Sequence, residues 1–213
     1  MLPRDVSLVE KLERGELFGV FDGIGSATKG KEAAQAMADM LIKFYQHPDR
    51  YETSVNGVLK LLQEGNMMIH GWGLEAGKDV PLGGCAGTVV WIYDYELYVF
   101  HAGDTAAALI RDNHVTRLTR EHQTEEGAIF RYFGLGESLK IDVRHFDVDE
   151  FDRILIVSDG VVPKGFLSIE EAAEVIEEYD DIALAAKGLV QRSRTRGSHD
   201  DITALLVEIE EEA

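Results

Sequence analysis

The middle of the chain has strand rather than helix periodicity, and this limits the folds that the sequence can adopt. Short apolar segments predict four consecutive strands over residues 88–93, 96–101, 106–111 and 114–118. The turn sequences Tyr93-Asp94-Tyr95, Gly103-Asp104 and Asp112-Asn113 separate them. The central part of the protein is therefore expected to be a β-sheet structure.

Helical patterns lie on both sides of this region. One helix is predicted over 31–45, and a second follows a cap at Thr53 or Ser54. Late in the chain, Ser168-Ile-Glu-Glu171 has the form of a capping box that opens a helix to about Tyr179. A last helix is expected over 182–195. Further strands are predicted over 5–10, 16–21, 140–147, 153–158 and 202–209. This order favours one α+β domain over 1–213, built as a sandwich.

The charge of the chain excludes several classes of partner. Lys and Arg number 21 and Asp and Glu 39, which gives a net charge of −18. Binding to nucleic acid or to an anionic membrane needs a basic surface, so we expect neither partner. Cys85 is the single cysteine and is interpreted as a small core residue. The absence of a disulfide, of a signal pattern and of an 18-residue apolar stretch predicts a cytoplasmic protein.

Four aspartates lie at the ends of predicted strands. Asp22, Asp104 and Asp159 each follow a strand and stand next to a glycine, whereas Asp200 precedes the last strand. In an antiparallel sheet, the start of one strand lies beside the end of its neighbour. Asp22, Asp159 and Asp200 can therefore meet at one edge, although each Asp-Gly pair taken alone is also an ordinary turn sequence.

Grouped carboxylates indicate a cation site. Several carboxylates cannot stay ionised in a small space unless positive charge lies among them. Oxygen ligands favour hard ions such as Mg²⁺, Mn²⁺ or Ca²⁺. Two such ions about 3.5–4 Å apart suit phosphoryl hydrolysis, because they activate water and neutralise the phosphate. The wide spacing of the acids excludes an EF-hand, whose ligands come from one 12-residue loop.

Short motifs occur in order along nearly the whole chain, and together they resemble the metal-dependent PP2C-type Ser/Thr phosphatases, including the stage II sporulation protein E-like branch. The motifs are Leu17-Phe-Gly-Val-Phe-Asp22-Gly-Ile-Gly25, Gly87-Thr88, Ala102-Gly-Asp104-Thr105, Leu118-Thr-Arg-Glu-His122, Gly134-Leu-Gly136, Ser158-Asp159-Gly160 and Ser198-His-Asp200-Asp201-Ile-Thr203.

The resemblance implies a fold and a chemistry. The fold would be a central antiparallel β-sandwich flanked by pairs of helices, in four αββα layers. The activity would be the hydrolysis of phosphoserine or phosphothreonine in a protein substrate, as in signalling. A hydroxide bridging two Mn²⁺ or Mg²⁺ ions would attack phosphorus, so that no catalytic side chain is expected. The implied metal ligands are Asp22, Gly23 through its carbonyl, Asp159 and Asp200, with Asp104 for a third, weaker ion and Asp5 through water.

Some positions depart from the family pattern. An Arg that binds the substrate phosphate often lies about five residues before the N-terminal Asp, but this chain begins four residues before Asp5. Lys29 or Lys31 is a candidate replacement. The segment between His122 and Gly134 is short, as if a flap were deleted, which is closer to the sporulation-type branch.

The sequence is also compatible with functions other than phosphatase activity. The departures also fit a catalytically weak or inactive phosphatase-like interaction domain that binds metal. A two-metal nuclease would fit the carboxylates alone but conflicts with a charge of −18. Histidines with no metal-ligand spacing are interpreted as surface or strand residues; they are His101, His114, His122, His145 and His199.

Overall fold

The computed structural model describes residues 13–77, 81–162 and 166–210. The elements within these residues are β1 (Glu16–Gly23), α1 (Gly30–Gln46), α2 (Val55–Glu75), β2 (Cys85–Tyr93), β3 (Glu96–Ala102), β4 (Ala106–Arg111), β5 (His114–Arg117), β6 (Asp142–Asp147), β7 (Arg153–Val157), α3 (Ile169–Glu177), α4 (Ile182–Thr195) and β8 (Ala204–Glu208). The strand predicted over 5–10 lies outside the described residues.

These elements confirm the predicted types and order, with shifts at some ends. β2 begins at Cys85 rather than at residue 88, and β1 continues to Gly23 rather than ending at residue 21. The two extensions have one cause, because Asp22 pairs with Ala86 and Gly23 with Cys85 in an unbroken antiparallel ladder. Pairing with the neighbouring strand overrides the weak strand propensity of this glycine-rich sequence.

The described strands form two four-stranded sheets. Their orders are β1-β2-β3-β6 and β5-β4-β7-β8. Two-residue turns join β2 to β3 and β4 to β5, and all four central residues have positive φ angles; they are Asp94, Tyr95, Asp112 and Asn113. Such turns match the twist of an antiparallel hairpin, so the predicted turn positions are confirmed.

The chain divides into two compact units. The first contains the residues up to Gly103 together with His122–Phe146, and the second contains Asp104–Glu121 and the residues from Asp147 onward. Each unit has its own apolar cluster. Phe44, Leu61 and Phe100 are among the buried residues of the first, and Leu155, Ile176 and Leu189 are among those of the second. The α+β class with antiparallel sheets is confirmed, whereas the single domain over 1–213 stays a prediction.

The late helices begin at the predicted caps. The Ser168 hydroxyl accepts a hydrogen bond from the Glu171 N–H at 3.1 Å, and the Glu171 carboxylate accepts one from the Ser168 N–H at 2.8 Å. This reciprocal pair is the predicted capping box. After α4, Gly197 has a φ of +94°, a conformation that favours glycine at a helix end. Among the described residues, no helix combines the length and the apolarity needed to cross a bilayer.

Replacing the cap of α3 tests this local assignment. We expect Ser168→Ala to lower the free energy of unfolding by about 1 kcal/mol, because the Glu171 N–H loses its acceptor. Urea unfolding followed by circular dichroism measures the change. Ser138→Ala, at an exposed loop position, serves as the matched control. Equal unfolding midpoints for the two variants would contradict the role of the cap.

Candidate metal centre

Three strand ends meet at one edge of the sheet in the second unit. Val157, the last residue of β7, pairs with Ala106, the first residue of β4. It also pairs with Ala204, the first residue of β8. The chain therefore enters β4 and β8 and leaves β7 at the same edge, as antiparallel pairing requires.

Predicted ligands occupy this edge. Asp104 stands two residues before β4, and Asp159 stands two residues after β7, so each lies the same number of residues beyond the Ala106–Val157 pair. Asp200 lies in the loop that enters β8. The exposed fraction is 2% for Asp104 and 6% for Asp159, while Asp200 is exposed. The structure thus brings these three acids to one sheet edge, and their role as ligands stays a prediction.

Ser158 ties the segments that carry Asp159 and Asp200. The Ser158 N–H donates to the Thr203 carbonyl at 3.0 Å. Its hydroxyl donates to the Asp201 carbonyl at 3.1 Å and accepts from the Thr203 N–H at 3.0 Å. Both acids are next to a residue in this network, so their backbone positions are coupled.

Ser198 and Gly160 add a second tie between the same segments. The buried Ser198 hydroxyl donates to the Gly160 carbonyl at 2.8 Å. A Cβ at Gly160 would overlap the Asp201 carbonyl oxygen, which explains the need for glycine beside Asp159. These contacts hold the strand-end loops close to each other without any charged side chain.

The first unit presents Asp22 and Gly23 at the end of β1. Asp22 lies opposite Ala86, and a Cβ at Gly103 would overlap the Ala86 side chain. Asp22 of β1, Ala86 of β2 and Gly103, which directly follows β3, therefore lie side by side. Burial, with a further contribution from the Asp22 carboxylate, raises the pKa of the Cys85 thiol. This supports the interpretation of Cys85 as an inert core residue.

The Asp22–Gly23 turn packs against the start of α1. A Cβ at Gly23 would lie 2.5 Å from the carbonyl carbon of Gly30 and 2.9 Å from the backbone nitrogen of Lys31. The next residue, Ile24, donates its N–H to the Gly84 carbonyl at 2.9 Å. By contrast, a Cβ at Gly25 would meet nothing within 4 Å. The close backbone approach therefore requires glycine at position 23.

His122 holds the Gly103 peptide from two directions. The His122 N–H donates to the Gly103 carbonyl at 2.7 Å, and the Gly103 N–H donates to His122 Nδ1 at 3.1 Å. His122 is 5% exposed and lies in a loop. Its prediction as a surface or strand residue is therefore wrong. The motif Leu118-Thr-Arg-Glu-His122 was the available signal, but it does not indicate burial.

The contacts of His122 define its tautomer. Because Nδ1 of the neutral ring accepts from the Gly103 N–H, the proton is on Nε2. Nε2 lies 3.1 Å from Asp142 Oδ2 and 2.9 Å from an Arg131 guanidinium nitrogen, so its N–H is directed to the carboxylate. Arg131 donates to the other oxygen of Asp142 at 2.7 Å. The His101 ring stacks on His122 at 4.9 Å between centroids, and His101 Nδ1 lies 2.9 Å from the Thr88 hydroxyl. Burial lowers the pKa of His122 and Arg131 lowers it further, while Asp142 opposes both.

The remaining predicted ligand, Asp5, lies outside the described residues. The described donors are all oxygen atoms, from carboxylates and, at Gly23, from a backbone carbonyl. Such a donor set fits Mg²⁺ or Mn²⁺ better than it fits zinc, which prefers nitrogen and sulfur ligands.

The sequence matches the family model described as Protein phosphatase 2C over residues 2–206. This match includes almost the entire chain. The chain belongs to the protein phosphatase 2C family. The matched region includes residues of both compact units and every strand-end motif described above.

Curated relatives from plants agree with this assignment. The chain is 26% identical over 236 residues to probable protein phosphatase 2C 58 of Arabidopsis thaliana, with 95% of this chain and 80% of the relative covered. It is 25% identical over 227 residues to probable protein phosphatase 2C 11 of Arabidopsis thaliana. That alignment covers 91% of this chain but 58% of the relative, so the chain spans little more than half of that protein.

A solved structure has the same fold. The chain superimposes on the catalytic domain of the serine threonine protein phosphatase PstP with a TM-score of 0.79. The two are 21% identical, and the match covers 92% of this chain and 88% of that one. The PstP structure is described as a complex with two manganese ions. At this identity the likeness establishes the fold.

The two glycines of the Asp22 turn give a matched test of the backbone geometry. We expect Gly23→Ala to lower the free energy of unfolding by about 1–3 kcal/mol, because the new methyl group overlaps the start of α1. Gly25→Ala places its methyl group in open space, and we expect it to change stability by less than about 0.5 kcal/mol. Urea unfolding measures both. Equal losses in the two variants would contradict the close packing at Gly23.

A pH titration tests the environment of His122. The pKa of His122 is lower in the folded protein than its ordinary value of about 6.5. Below pH 6.5 the unfolded chain therefore binds more protons at this residue than the folded protein does. We expect the metal-free protein to lose stability as the pH falls from about 6.5 to the lower folded pKa, with no further loss from His122 below that point. Nitrogen-15 NMR of the imidazole across a pH titration should report the neutral Nε2–H tautomer above pH 6.5 and a His122 pKa below the ordinary value of about 6.5. A His122 pKa at or above that value would contradict the assignment.

Proposed function

We propose that the protein is a metal-dependent serine/threonine phosphatase that hydrolyses phosphoserine or phosphothreonine in a protein substrate. The observation that carries this proposal is the placement of Asp104, Asp159 and Asp200 at one sheet edge in a member of the protein phosphatase 2C family. Asp22 and Gly23 are the last two residues of β1 in the first unit. The relatives named above are themselves described as protein phosphatases.

The proposed cofactors are two Mn²⁺ or Mg²⁺ ions held by Asp22, the Gly23 carbonyl, Asp159 and Asp200. Asp104 is proposed to hold a third, weaker ion, and Asp5 to contribute through water. The oxygen-only donor set supports this choice, as do the two manganese ions of the PstP complex. Burial of Asp104 and Asp159 adds support, since carboxylates in a buried cluster are stabilised by a nearby cation.

Each part of the site has a separate role in this proposal. Bound ions of this kind supply Lewis acidity, which activates water and neutralises the phosphate charge. The carboxylates fix the cations, while Ser158 and Ser198 hold the loops that carry Asp159 and Asp200. Cys85 is buried with a raised pKa, so it is not a candidate nucleophile. Hydrolysis then needs no covalent intermediate on the protein.

The proposal also includes the cellular location, the partners and the branch of the family. We place the reaction in the cytoplasm, in a signalling role, with a phosphoprotein substrate and without a nucleic-acid or membrane partner. The single buried cysteine and the net charge of −18 support these choices. The short segment after His122, closed by a bridge between Gln123 and Ile129, supports a relation to the sporulation protein E-like branch.

Removing one carboxylate tests the proposal directly. We expect Asp159→Asn and Asp22→Asn each to lower Mn²⁺-dependent hydrolysis of a phosphothreonine peptide by about a hundredfold or more, because each variant loses a charged ligand. In the wild-type protein, free Mn²⁺ at about 100 times its Kd should add about 2.7 kcal/mol to the free energy of unfolding. We expect this stabilisation to decrease in both variants.

Asp94→Asn is the matched control, because Asp94 is an exposed turn residue with positive φ, a conformation that Asn also adopts. It should keep full activity and full metal stabilisation. Wild-type turnover that survives both ligand substitutions would refute the proposed site. Strong Mn²⁺ binding without any turnover would instead identify a catalytically inactive interaction domain.

A further inference from the structure

Lys29 is the residue that caps α1 in the loop after Asp22 and Gly23, and its backbone is fixed. Its N–H donates to the Leu82 carbonyl at 2.8 Å, and its own carbonyl accepts from the Ala33 N–H at 3.0 Å. The side chain is exposed. The backbone of Lys29 is therefore anchored, and the contacts of its side chain determine where the ammonium group lies.

An aromatic ring lies beneath this ammonium group. Lys29 Nζ is 5.4 Å from the centroid of the Trp72 ring, within the range of a cation–π contact. Gly83 explains why the indole can come so near. A Cβ at Gly83 would lie 2.8 Å from Trp72 Cε3 and 3.2 Å from the Lys29 carbonyl oxygen. Trp72 and the backbone of Lys29 thus enclose the same glycine.

The next residue, Gly84, extends this arrangement. A Cβ there would lie 2.6 Å from the Tyr132 ring and 3.4 Å from the Ile24 side chain. We call the surface formed by Ile24, Lys29, Trp72 and Tyr132 around these two glycines the Lys29 platform. All of its members belong to the first unit.

The Lys29 platform adjoins the proposed metal ligands of the same unit. Gly30 touches Gly23, whose carbonyl is a proposed ligand, and Ile24 follows Gly23 in the chain. The chain as a whole carries a net charge of −18. A phosphorylated peptide is anionic and needs a cation beside the metals to favour its approach. Lys29 meets this need with an ammonium group held against an aromatic face.

We propose that Lys29 is a substrate-binding and specificity-determining residue that contacts the anionic groups of a phosphorylated peptide, with Trp72 holding its ammonium in place. This rests on the phosphatase activity proposed above. Two sources of negative charge fit the platform, namely the phosphoryl group itself and an acidic side chain beside the phosphorylated residue. The apolar surfaces of Ile24 and Tyr132 provide contact area for the peptide next to this charge.

Steady-state kinetics of Lys29→Met test the proposal. We expect KM for the phosphopeptide to rise about tenfold with kcat within about twofold, because a charge-assisted contact to bound substrate is lost. Lys29→Arg should restore most of the affinity, and Trp72→Leu should give an intermediate increase in KM. Isothermal titration should give the same Mn²⁺ affinity for wild type and Lys29→Met.

Lys60→Met is the matched control. Lys60 is also an exposed lysine of the first unit with its ammonium near an aromatic ring, 6.0 Å from that of Tyr51. It is twelve residues from Trp72 on the same helix, about 18 Å along the axis. Removing its charge should leave KM unchanged. Equal increases in KM for the two methionine variants would overturn the proposal, since they would report net charge alone.

The choice of substrate identifies the source of the anionic charge. A rise in KM for p-nitrophenyl phosphate as well as for peptides would identify the phosphoryl group. A rise confined to phosphothreonine peptides with flanking aspartates, relative to peptides with flanking serines, would identify the acidic side chain. A KM within twofold of wild type for all three substrates would overturn the proposal, as would a matching loss of Mn²⁺ affinity.

Equilibrium binding separates this proposal from the proposed function. If the wild-type protein has no Mn²⁺-dependent turnover, the phosphatase proposal fails. Fluorescence anisotropy with a labelled phosphothreonine peptide then measures the Kd for wild type and Lys29→Met directly. A Kd about ten times higher for Lys29→Met than for wild type would support the role of the Lys29 platform. Equal Kd values for the two proteins would overturn it.

Discussion

Antiparallel pairing makes the start of one strand lie beside the end of the next, and the placement of the acids depends on this constraint. In the second unit, the register that joins Val157 to Ala106 and to Ala204 brings three separate parts of the chain to one edge. Each part carries an aspartate two to four residues beyond the paired residues. The strand interiors stay apolar and supply the core, so charge collects at the edge without cost to packing.

The backbone of these strand ends is held by small residues. Glycines at 23, 103 and 160 allow contacts that a Cβ would block, and the Ser158 and Ser198 hydroxyls replace main-chain partners where the ladder ends. The backbone segments that carry Asp159 and Asp200 are thereby held together by neutral hydrogen bonds. A cation among the acids would offset their mutual repulsion.

Features encoded in neighbouring residues were predictable from the sequence, and features that depend on distant contacts were not. The capping box at Ser168 and the hairpin turn at Asp94 involve residues within a few positions of each other. The positions of the aspartates at strand ends were predictable because each acid lies next to its strand in the sequence. The burial of His122 was missed because it results from contacts with Gly103, nineteen residues away. Likewise, no local pattern places Trp72 beside Lys29.

Gly103 and His122 both belong to the first unit, and the double hydrogen bond between them closes the intervening segment 104–121 into a loop. A disordered loop of this length loses about 2.6 kcal/mol of chain entropy on closure, beyond a constant. Within this loop β4 and β5 pair as a local hairpin, whereas the pairing of β4 with β7 spans about 50 residues. His122 therefore holds together the two flanks of the hairpin, although it belongs to neither strand.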